Sequence, residues 1–233
     1  MTAAGPLVEP FERSAPGRPA VRGVVHHPAS AARDALVLTH GAGGNRSAPL
    51  LVALGAAFAE AGLAVLRCDL PYRQARAKGP PSPAGAARDR DGLREAVTAI
   101  RSIASGRAFL GGTSYGGRQA SLLLAEAPDV ADALLLLSYP LHPPGRPGDL
   151  RTAHFPRLRT PALFAHGSLD PFGSLEELEA ARLLIGGRSA LVAFEGAGHG
   201  LGGGARASLP RAETVAKIVA AFLAFTAESS AHG

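Results

Sequence analysis

Glycines surround a single serine in the stretch FLGGTSYGGRQA, residues 109–120. Ser114 is the centre of a G-x-S-x-G pattern that follows a short apolar run and precedes a segment with helical character. Where a strand is followed directly by a helix, this pattern is typical of a nucleophile elbow, in which a strained backbone exposes the serine hydroxyl. The flanking glycines are needed there because strand and helix nearly touch. Ser114 is therefore the candidate nucleophile, and the alternative is a glycine-rich turn with an N-capping serine.

A serine hydroxyl becomes a useful nucleophile only beside a general base that a carboxylate orients. Asp170 follows the apolar run PALFAH, and His199 follows the apolar run SALVAF. Both runs are predicted strands, so we expect both side chains at the same edge of the sheet as Ser114. The order serine, acid, histidine along the chain agrees with a nucleophile elbow. These three residues form a candidate catalytic triad; the alternative role of Asp170 is to cap the turn before Pro171.

Two backbone N–H groups must face the oxygen that becomes negative during acyl transfer. Tyr115, directly after the candidate nucleophile, is expected to supply one of them. The second is expected from THGAGGN, residues 39–45, where a predicted strand opens into a glycine-rich loop. Ala42 is the first choice for this donor, and Gly43 is the alternative.

A basic segment, DLPYRQARAKGPP, follows a further predicted strand and is expected to lie above the same edge of the sheet. Tyr72 and Arg73 are the candidate substrate-binding residues, with Arg76 and Lys78 close by. The planar guanidinium group of arginine can donate two parallel hydrogen bonds to a carboxylate or phosphate. This segment is therefore predicted to recognise an anionic group of the substrate. The alternative is an ordinary solvated loop.

Short apolar runs bounded by Gly, Pro, Asp or His recur along the chain and are predicted to be strands: 20–25, 35–40, 63–68, 107–112, 133–138, 161–166 and 189–194. Most are continuously apolar, which indicates strands buried on both faces of a parallel sheet. Segments with helical periodicity lie between most of them: one capped by Ser47 and ended by Gly62, one opening near Asp91, and others over 115–127, 174–185 and 211–227.

This alternation of strands and helices predicts an α/β fold with a doubly wound, mostly parallel sheet. The segment LVEPFER and the run 20–25 have no helix between them, so they are predicted to form an antiparallel hairpin at one edge. Two stretches, 73–88 and 139–151, are predicted surface loops too short to be a cap domain. We expect one domain over residues 1–233, with frayed ends at 1–6 and 228–233.

Composition limits the classes of partner. The chain has 233 residues, 46% hydrophobic and 18% charged, which is typical of a globular protein. Its net charge is +5, but its 22 arginines are scattered and no nucleic-acid-binding motif is present. No run reaches 18 apolar residues, no secretory leader is recognisable, and Cys68 is the single cysteine. We expect a soluble, cytoplasmic protein that needs no metal or cofactor and whose partner is a small-molecule ester, neither nucleic acid nor a membrane.

The segments HGAGG, GGTSYGGRQAS, HGSLDPF and GAGHGL resemble the α/β-hydrolase superfamily, and the resemblance spans about residues 20 to 225. Within it the chain is similar to small, cap-less bacterial hydrolases related to dienelactone hydrolases and to KANL-type hydrolase-like proteins. The resemblance implies an α/β-hydrolase fold without a cap, with Ser114 as nucleophile, Asp170 as acid and His199 as base. It also implies structural roles for His40 and His166.

Dienelactone hydrolases proper use a cysteine nucleophile, whereas position 114 of this chain is serine. We therefore expect a serine hydrolase that cleaves carboxylic esters or thioesters through an acyl-enzyme on Ser114. The alternatives are an amidase or peptidase, and a non-catalytic scaffold that keeps the hydrolase fold and binds a partner.

Overall fold

The computed structural model describes residues 7–202 and 211–228, and an eight-stranded sheet runs through its centre. The strands are β1 (Leu7–Arg13), β2 (Val21–His27), β3 (Ala35–Thr39), β4 (Ala64–Cys68), β5 (Ala108–Thr113), β6 (Ala133–Leu137), β7 (Ala162–Gly167) and β8 (Ser189–Phe194). Their order across the sheet is β1-β2-β4-β3-β5-β6-β7-β8. The six strands from β4 to β8 in this order are parallel, and β2 is antiparallel to both of its neighbours. The expected mostly parallel sheet with an antiparallel edge hairpin is confirmed.

Helices cover both faces of this sheet. They are α1 (Pro49–Glu60), α2 (Pro71–Ala75), α3 (Ala86–Ile100), α4 (Tyr115–Glu126), α5 (Leu175–Arg182) and α6 (Ala212–Glu228). Apolar residues of α1 and α6 pack in one core cluster, and those of α3, α4 and α5 pack in a second cluster on the opposite face. Along β6, Leu134 and Leu136 belong to one cluster, while Leu135 and Leu137 belong to the other. The strand reads as an unbroken apolar run because both of its faces are buried.

Two helix starts differ from those predicted. Helix α1 begins at Pro49 with Ala48 at its N-cap, and Ser47 does not cap it; the Ser47 N–H instead donates to the Asn45 side chain. Proline at the first helical position already has the right φ and needs no hydrogen-bond acceptor, so a side-chain cap is dispensable. Helix α3 begins at Ala86 rather than near Asp91. Its first turn, Ala-Ala-Arg-Asp, has no large apolar residue, so the apolar periodicity that marks the helix starts only at Leu93.

Other local predictions agree with the structure more closely. Ser174 caps α5 in a capping box with Glu177, as its spacing predicted. The predicted surface loop at 73–88 is wrong in part, because it contains most of α2, a short 3-10 turn and the start of α3. Glu228, expected to be frayed, is the last residue of α6, whereas residues 1–6 and 229–233 lie outside the described residues.

The carboxyl ends of the parallel strands are left uncovered by any inserted domain within residues 7–202 and 211–228. The segment 138–161, between β6 and β7, contains only a single 3-10 turn at Phe155–Arg157. This agrees with the expected lack of a cap. The edge of the sheet on which functional groups collect in such folds is therefore directly accessible.

Candidate active site

Ser114 occupies the corner between β5 and α4 in a backbone conformation that serine rarely adopts. Its φ is 50° and its ψ is −114°, and its N–H donates to Leu137 O at 2.8 Å. A side chain with a Cβ is strained at such positive φ, and strain of this kind is concentrated at functional sites. The hydroxyl makes no capping hydrogen bond to α4. The alternative role as an N-cap is therefore not realised.

The glycines around Ser114 are explained by close backbone approach. A Cβ on Gly112 would lie 2.6 Å from the Gly117 nitrogen, and a Cβ on Gly116 would lie 2.5 Å from the His40 carbonyl oxygen. Both distances are far below any normal van der Waals contact. Strand β5, helix α4 and the loop after β3 thus meet where only glycine fits, as the G-x-S-x-G pattern predicted.

The three residues of the candidate triad lie in one hydrogen-bonded line. His199 Nε2 is 2.8 Å from Ser114 Oγ, and His199 Nδ1 lies 2.8 Å and 3.0 Å from the two carboxylate oxygens of Asp170. An ionised carboxylate only accepts, so Nδ1–H donates to Asp170 and Nε2 is left to accept the serine proton. This is the tautomer a general base requires.

The surroundings of Asp170 and His199 keep the line ordered. The Asp170 side chain is fully buried, and its Oδ1 also accepts the Phe172 N–H at 2.9 Å, so the turn-capping role coexists with the bond to histidine. The Phe172 ring packs on the imidazole with ring centroids 4.3 Å apart. The His199 side chain keeps 28% of its surface exposed. A buried acid and a reachable imidazole suit an orienting group and a proton carrier respectively.

His166, which the family resemblance implied to be structural, is fully buried beside this line. Its Nε2 is 2.9 Å from Gly173 O and 3.7 Å from the Asp170 carboxylate. Burial lowers the pKa of His166, so its ring stays neutral and can donate to the carbonyl. It holds the turn that carries Asp170 and does not contact Ser114.

The two expected oxyanion donors flank the serine hydroxyl. Tyr115 is the first residue of α4, and Ala42 lies in the loop after β3; both line a cleft with Ser114. Neither amide N–H hydrogen-bonds to another group within the described part of the chain, and the same is true of Gly43. Free amides beside a nucleophile are the feature that an oxyanion hole requires.

Tyr72 and Arg73, the expected substrate-binding residues, are turned towards the protein. The Tyr72 hydroxyl donates to Ala42 O at 2.9 Å, and the Arg73 guanidinium donates to Ala42 O and Gly44 O, both at 2.9 Å. Arg73 is buried, and it donates further to Arg76 O and Gly79 O. Carbonyl oxygens accept four of the five guanidinium N–H groups of Arg73, which leaves one on Nη1. These bonds favour a role in shaping the loop that carries Ala42, and the substrate-binding role stays a prediction.

Asp89 is a residue of the site that the sequence analysis did not single out. It is fully buried in α3, and its carboxylate accepts the Tyr72 N–H at 3.0 Å and the Tyr115 hydroxyl at 2.7 Å. Burial raises its pKa. By holding the side chain of Tyr115 and the start of α2, Asp89 braces both sides of the expected oxyanion hole. Nothing local distinguishes it, because an acidic residue in a helix usually faces solvent.

His40 also supports the loop after β3, as the resemblance implied. Leu70 N–H donates to its Nε2 at 3.2 Å, so Nδ1 carries the proton and donates to Gly41 O at 2.8 Å. The ring is fully buried, and burial lowers its pKa. Both ring nitrogens therefore bond to backbone groups of the protein.

Two clefts flank Ser114 and share Ala42 and Phe172. The histidine-side cleft, of about 480 Å³, runs past His199 and is otherwise lined largely by apolar and glycine residues. The arginine-side cleft, of about 420 Å³, is lined by Tyr115, Arg118, Gln119 and Arg151 together with several small apolar residues. A substrate with its reacting carbon at Ser114 can therefore extend in two directions.

Comparison with known proteins agrees with this fold. A family model described as an alpha/beta hydrolase domain matches residues 32–227. The chain therefore belongs to the α/β-hydrolase family, and the resemblance proposed from its motifs is confirmed.

Within the described residues, no group of three or more His, Cys, Asp or Glu side chains is arranged to hold a metal ion. No helix in this part of the chain combines the length and apolar character needed to cross a bilayer.

Solved structures with the same fold align over almost the whole chain. Dienelactone hydrolase from Anabaena variabilis is 18% identical with a TM-score of 0.75, covering 97% of this chain and 99% of that one. An alpha-beta serine hydrolase homologue from Coxiella burnetii is 16% identical with a TM-score of 0.69, covering 93% and 96%. A serine hydrolase without a lid from Xanthomonas campestris is 15% identical with a TM-score of 0.66, covering 95% and 94%. These likenesses establish the cap-less hydrolase fold.

Proposed function

We propose that this protein is a serine hydrolase of carboxylic esters or thioesters that works through an acyl-enzyme on Ser114. The observation that carries the proposal is the continuous hydrogen-bonded line from Asp170 through His199 to the strained Ser114 hydroxyl. An N-cap or a structural turn needs no such line, whereas acyl transfer requires one.

In the proposed mechanism, Ser114 Oγ attacks the acyl carbon while His199 Nε2 accepts its proton. Asp170 holds the imidazole in the required tautomer and stabilises the imidazolium that forms. The N–H groups of Tyr115 and Ala42 bind the carbonyl oxygen as it becomes negative, and Gly43 N–H is the alternative to Ala42. His199 then gives its proton to the leaving group, at the oxygen of an alcohol or the sulfur of a thiol. A water molecule, deprotonated by His199, attacks the acyl-enzyme and releases the acid.

Turnover of p-nitrophenyl acetate and butyrate by wild type and by Ser114→Ala tests the proposal. We expect Ser114→Ala to lower kcat by roughly 10⁴-fold or more, because the bond-forming atom is removed. Retention of more than a tenth of the wild-type kcat in this variant, or lack of turnover in wild type, would contradict it. The second result would favour the scaffold alternative. Comparing matched amide and ester substrates separates an amidase from an esterase.

Ser138→Ala is a matched control for this experiment. Ser138 follows β6 and also has a positive φ, 49°, but it is fully buried and lines neither cleft beside Ser114. We expect its loss to leave kcat within a factor of about two of wild type, because a surface-inaccessible hydroxyl cannot reach substrate. A large loss in both variants would point to disturbed folding rather than to a missing nucleophile.

A further inference from the structure

The arginine-side cleft contains two arginines without a carboxylate partner. Within residues 7–202 and 211–228, neither Arg118 nor Arg151 lies within ion-pair distance of an acidic side chain, whereas arginines elsewhere, such as Arg90, do. The only hydrogen bond from the Arg151 guanidinium is a long one, 3.4 Å, to Pro140 O. The Arg118 guanidinium makes none to the described residues, and its Nε is buried. Unpaired cations in one cleft are costly unless something negative binds there.

Gln119 is a second, independent indication of a missing ligand. Its side chain is fully buried and lines the same cleft, yet its Nε2 has no hydrogen-bond partner in the described residues. Its Oε1 already accepts from Arg90 at 3.3 Å. Buried amide donors are almost always satisfied, so this one lacks an acceptor that the chain itself does not supply. Arg118, Gln119 and Arg151 thus line the same cleft with donors that the described residues leave unpaired or only weakly paired.

The backbone of both arginines is held in place before any ligand arrives. The backbone of Arg151 is fixed on both sides, because its N–H donates to Leu141 O at 2.8 Å and its carbonyl accepts the Tyr139 hydroxyl at 2.7 Å. Arg118 lies on the first turn of α4, and its N–H donates to Ser114 O at 2.9 Å. A fixed backbone leaves only the side-chain rotamers to be ordered when a ligand binds, which lowers the entropic cost.

The neighbouring titratable groups indicate a positive local field. Burial, together with the charges of Arg118 and Arg157, lowers the pKa of His154 to about 4. Burial and the charge of Arg118 also lower the pKa of Arg151. A bound anion relieves the repulsion between these cations.

The direction of the reaction decides which part of the substrate enters this cleft. His199 lines the histidine-side cleft and is not part of the arginine-side lining. The leaving oxygen must take its proton from His199, so the leaving group extends into the histidine-side cleft. The acyl chain then extends the other way, past Tyr115 and towards Arg118.

We propose that Arg118, Arg151 and Gln119 bind a carboxylate at the far end of the acyl chain, so that the preferred substrates are mono-esters of dicarboxylic acids. This inference rests on the proposed function. Arginine forks match a carboxylate in a planar, two-pronged geometry, and the Gln119 amide supplies a further donor. Arg118 lies in the first turn of α4, which begins directly after Ser114, so the subsite is close to the nucleophile. We therefore propose short dicarboxylic acids, with three or four methylene groups between the carboxyl carbons.

Turnover of paired ethyl esters tests the subsite. Monoethyl glutarate and monoethyl adipate are compared with ethyl 5-methylhexanoate and ethyl 6-methylheptanoate, which replace the free carboxylate by a neutral group of the same shape. We expect wild type to prefer the charged ester of each pair by about 10- to 100-fold in kcat/KM, as charge-assisted hydrogen bonds warrant. Arg118→Gln and Arg151→Gln should each lower this ratio about tenfold. A wild-type ratio of one or less, or a ratio that neither variant lowers, would overturn the subsite.

Two controls sharpen this experiment. Arg146→Gln removes an exposed arginine of the 139–151 loop that is paired with Asp149, and we expect the ratio to stay at its wild-type value. The butyrate ester of glycolic acid carries its carboxylate on the alcohol side. We expect it to show no preference over ethyl butyrate, and a preference that depends on Arg118 would overturn the assigned direction.

A binding measurement separates failure of the subsite from failure of the proposed function. Calorimetric titration of the Ser114→Ala protein with monoethyl adipate needs no turnover, and we expect Arg118→Gln or Arg151→Gln added to Ser114→Ala to raise Kd at least tenfold. If wild type hydrolyses no ester but this arginine-dependent binding is present, the hydrolase proposal fails and the carboxylate subsite stands. If neutral esters are hydrolysed and binding does not depend on the arginines, the subsite is wrong and the hydrolase proposal stands.

Discussion

Two sets of side chains meet at the carboxyl edge of the sheet, and they differ in the kind of group to which they bond. The reaction set bonds side chain to side chain, in one line that ends at a partly exposed hydroxyl. It consists of Ser114, Asp170 and His199. The loop-support set is buried apart from the half-buried Tyr72, and it bonds mainly to backbone carbonyls and amides of the loops around Ala42 and Tyr115. It consists of His40, Tyr72, Arg73 and Asp89.

The contrast between these sets separates two roles that look alike in sequence. His40 and His199 both follow the end of a parallel strand, yet only His199 has a nucleophile on one nitrogen and an acid on the other. Both ring nitrogens of His40 hydrogen-bond to backbone groups. The reaction set is expected to change bonds, whereas the loop-support set positions the amides that stabilise charge. Substitutions in the first set should therefore cost orders of magnitude more in kcat than those in the second.

Asp170→Asn is expected to give the largest effect that leaves the nucleophile in place. The oxygen of the amide is expected to keep the Phe172 N–H, so its NH₂ group faces His199 Nδ1 as a donor. This favours the tautomer with its proton on Nε2, which cannot accept the Ser114 proton. We expect kcat for p-nitrophenyl butyrate to fall by roughly 10⁴-fold, as removal of an orienting carboxylate from a serine hydrolase warrants. Asp149→Asn, at an exposed acid paired with Arg146, is the control that should change kcat little. A loss of less than tenfold in Asp170→Asn would remove the distinction between the sets.

Arg73→Gln should have a much smaller effect on kcat, of about 10- to 50-fold, because it loosens the loop that carries Ala42 without touching the reacting atoms. We expect neutral and anionic esters to be affected equally. Arg76→Gln is the matched control, because the Arg76 side chain is exposed and donates to Pro80 O. A rise in KM for anionic esters alone, in either variant, would support the substrate-binding role first predicted for this segment.

The smallest effect expected concerns stability rather than rate. Burial puts the pKa of folded His40 below its ordinary value of 6.5. Between pH 6.5 and the lower folded pKa the unfolded chain binds a proton that the folded protein does not, so the free energy of unfolding falls as the pH drops from 6.5 towards the folded pKa. His40→Gln should flatten this decline, measured by urea unfolding at pH 7.5 and pH 5. Some decline should remain, because His154 and His166 are shifted in the same direction.

Tyr72→Phe is the control for this measurement. It removes a hydrogen bond to the same loop but no group that titrates between pH 5 and pH 7.5. We expect a lower free energy of unfolding at both pH values with an unchanged difference between them. Equal pH dependence in wild type and His40→Gln would show that the buried ring does not resist protonation.

Much of the fold and of the candidate triad could be predicted from local patterns. Continuous apolar runs indicated strands that are buried on both faces of the sheet. The candidate functional residues come directly after some of these runs, in loops at the edge of the sheet. Ser114, Asp170 and His199 could be singled out because parallel strands end at the same edge, so three separate motifs had to converge. The start of α3 was missed because its first turn buries Asp89, a polar residue that carries no apolar periodicity.

By itself, the sequence determined the strand and helix order, the glycine-lined corner at Ser114 and the residue types at the strand ends, because these depend on neighbours along the chain. The partners of the polar side chains, by contrast, depend on the packing of the folded chain. This packing turned Arg73 inward onto carbonyls, placed Asp89 beneath Tyr115, and left Arg118 and Arg151 together in a cleft without an acid. Such choices depend on groups far apart in sequence, and a charged residue looks the same in the chain whether its partner is a backbone carbonyl, another side chain or a substrate.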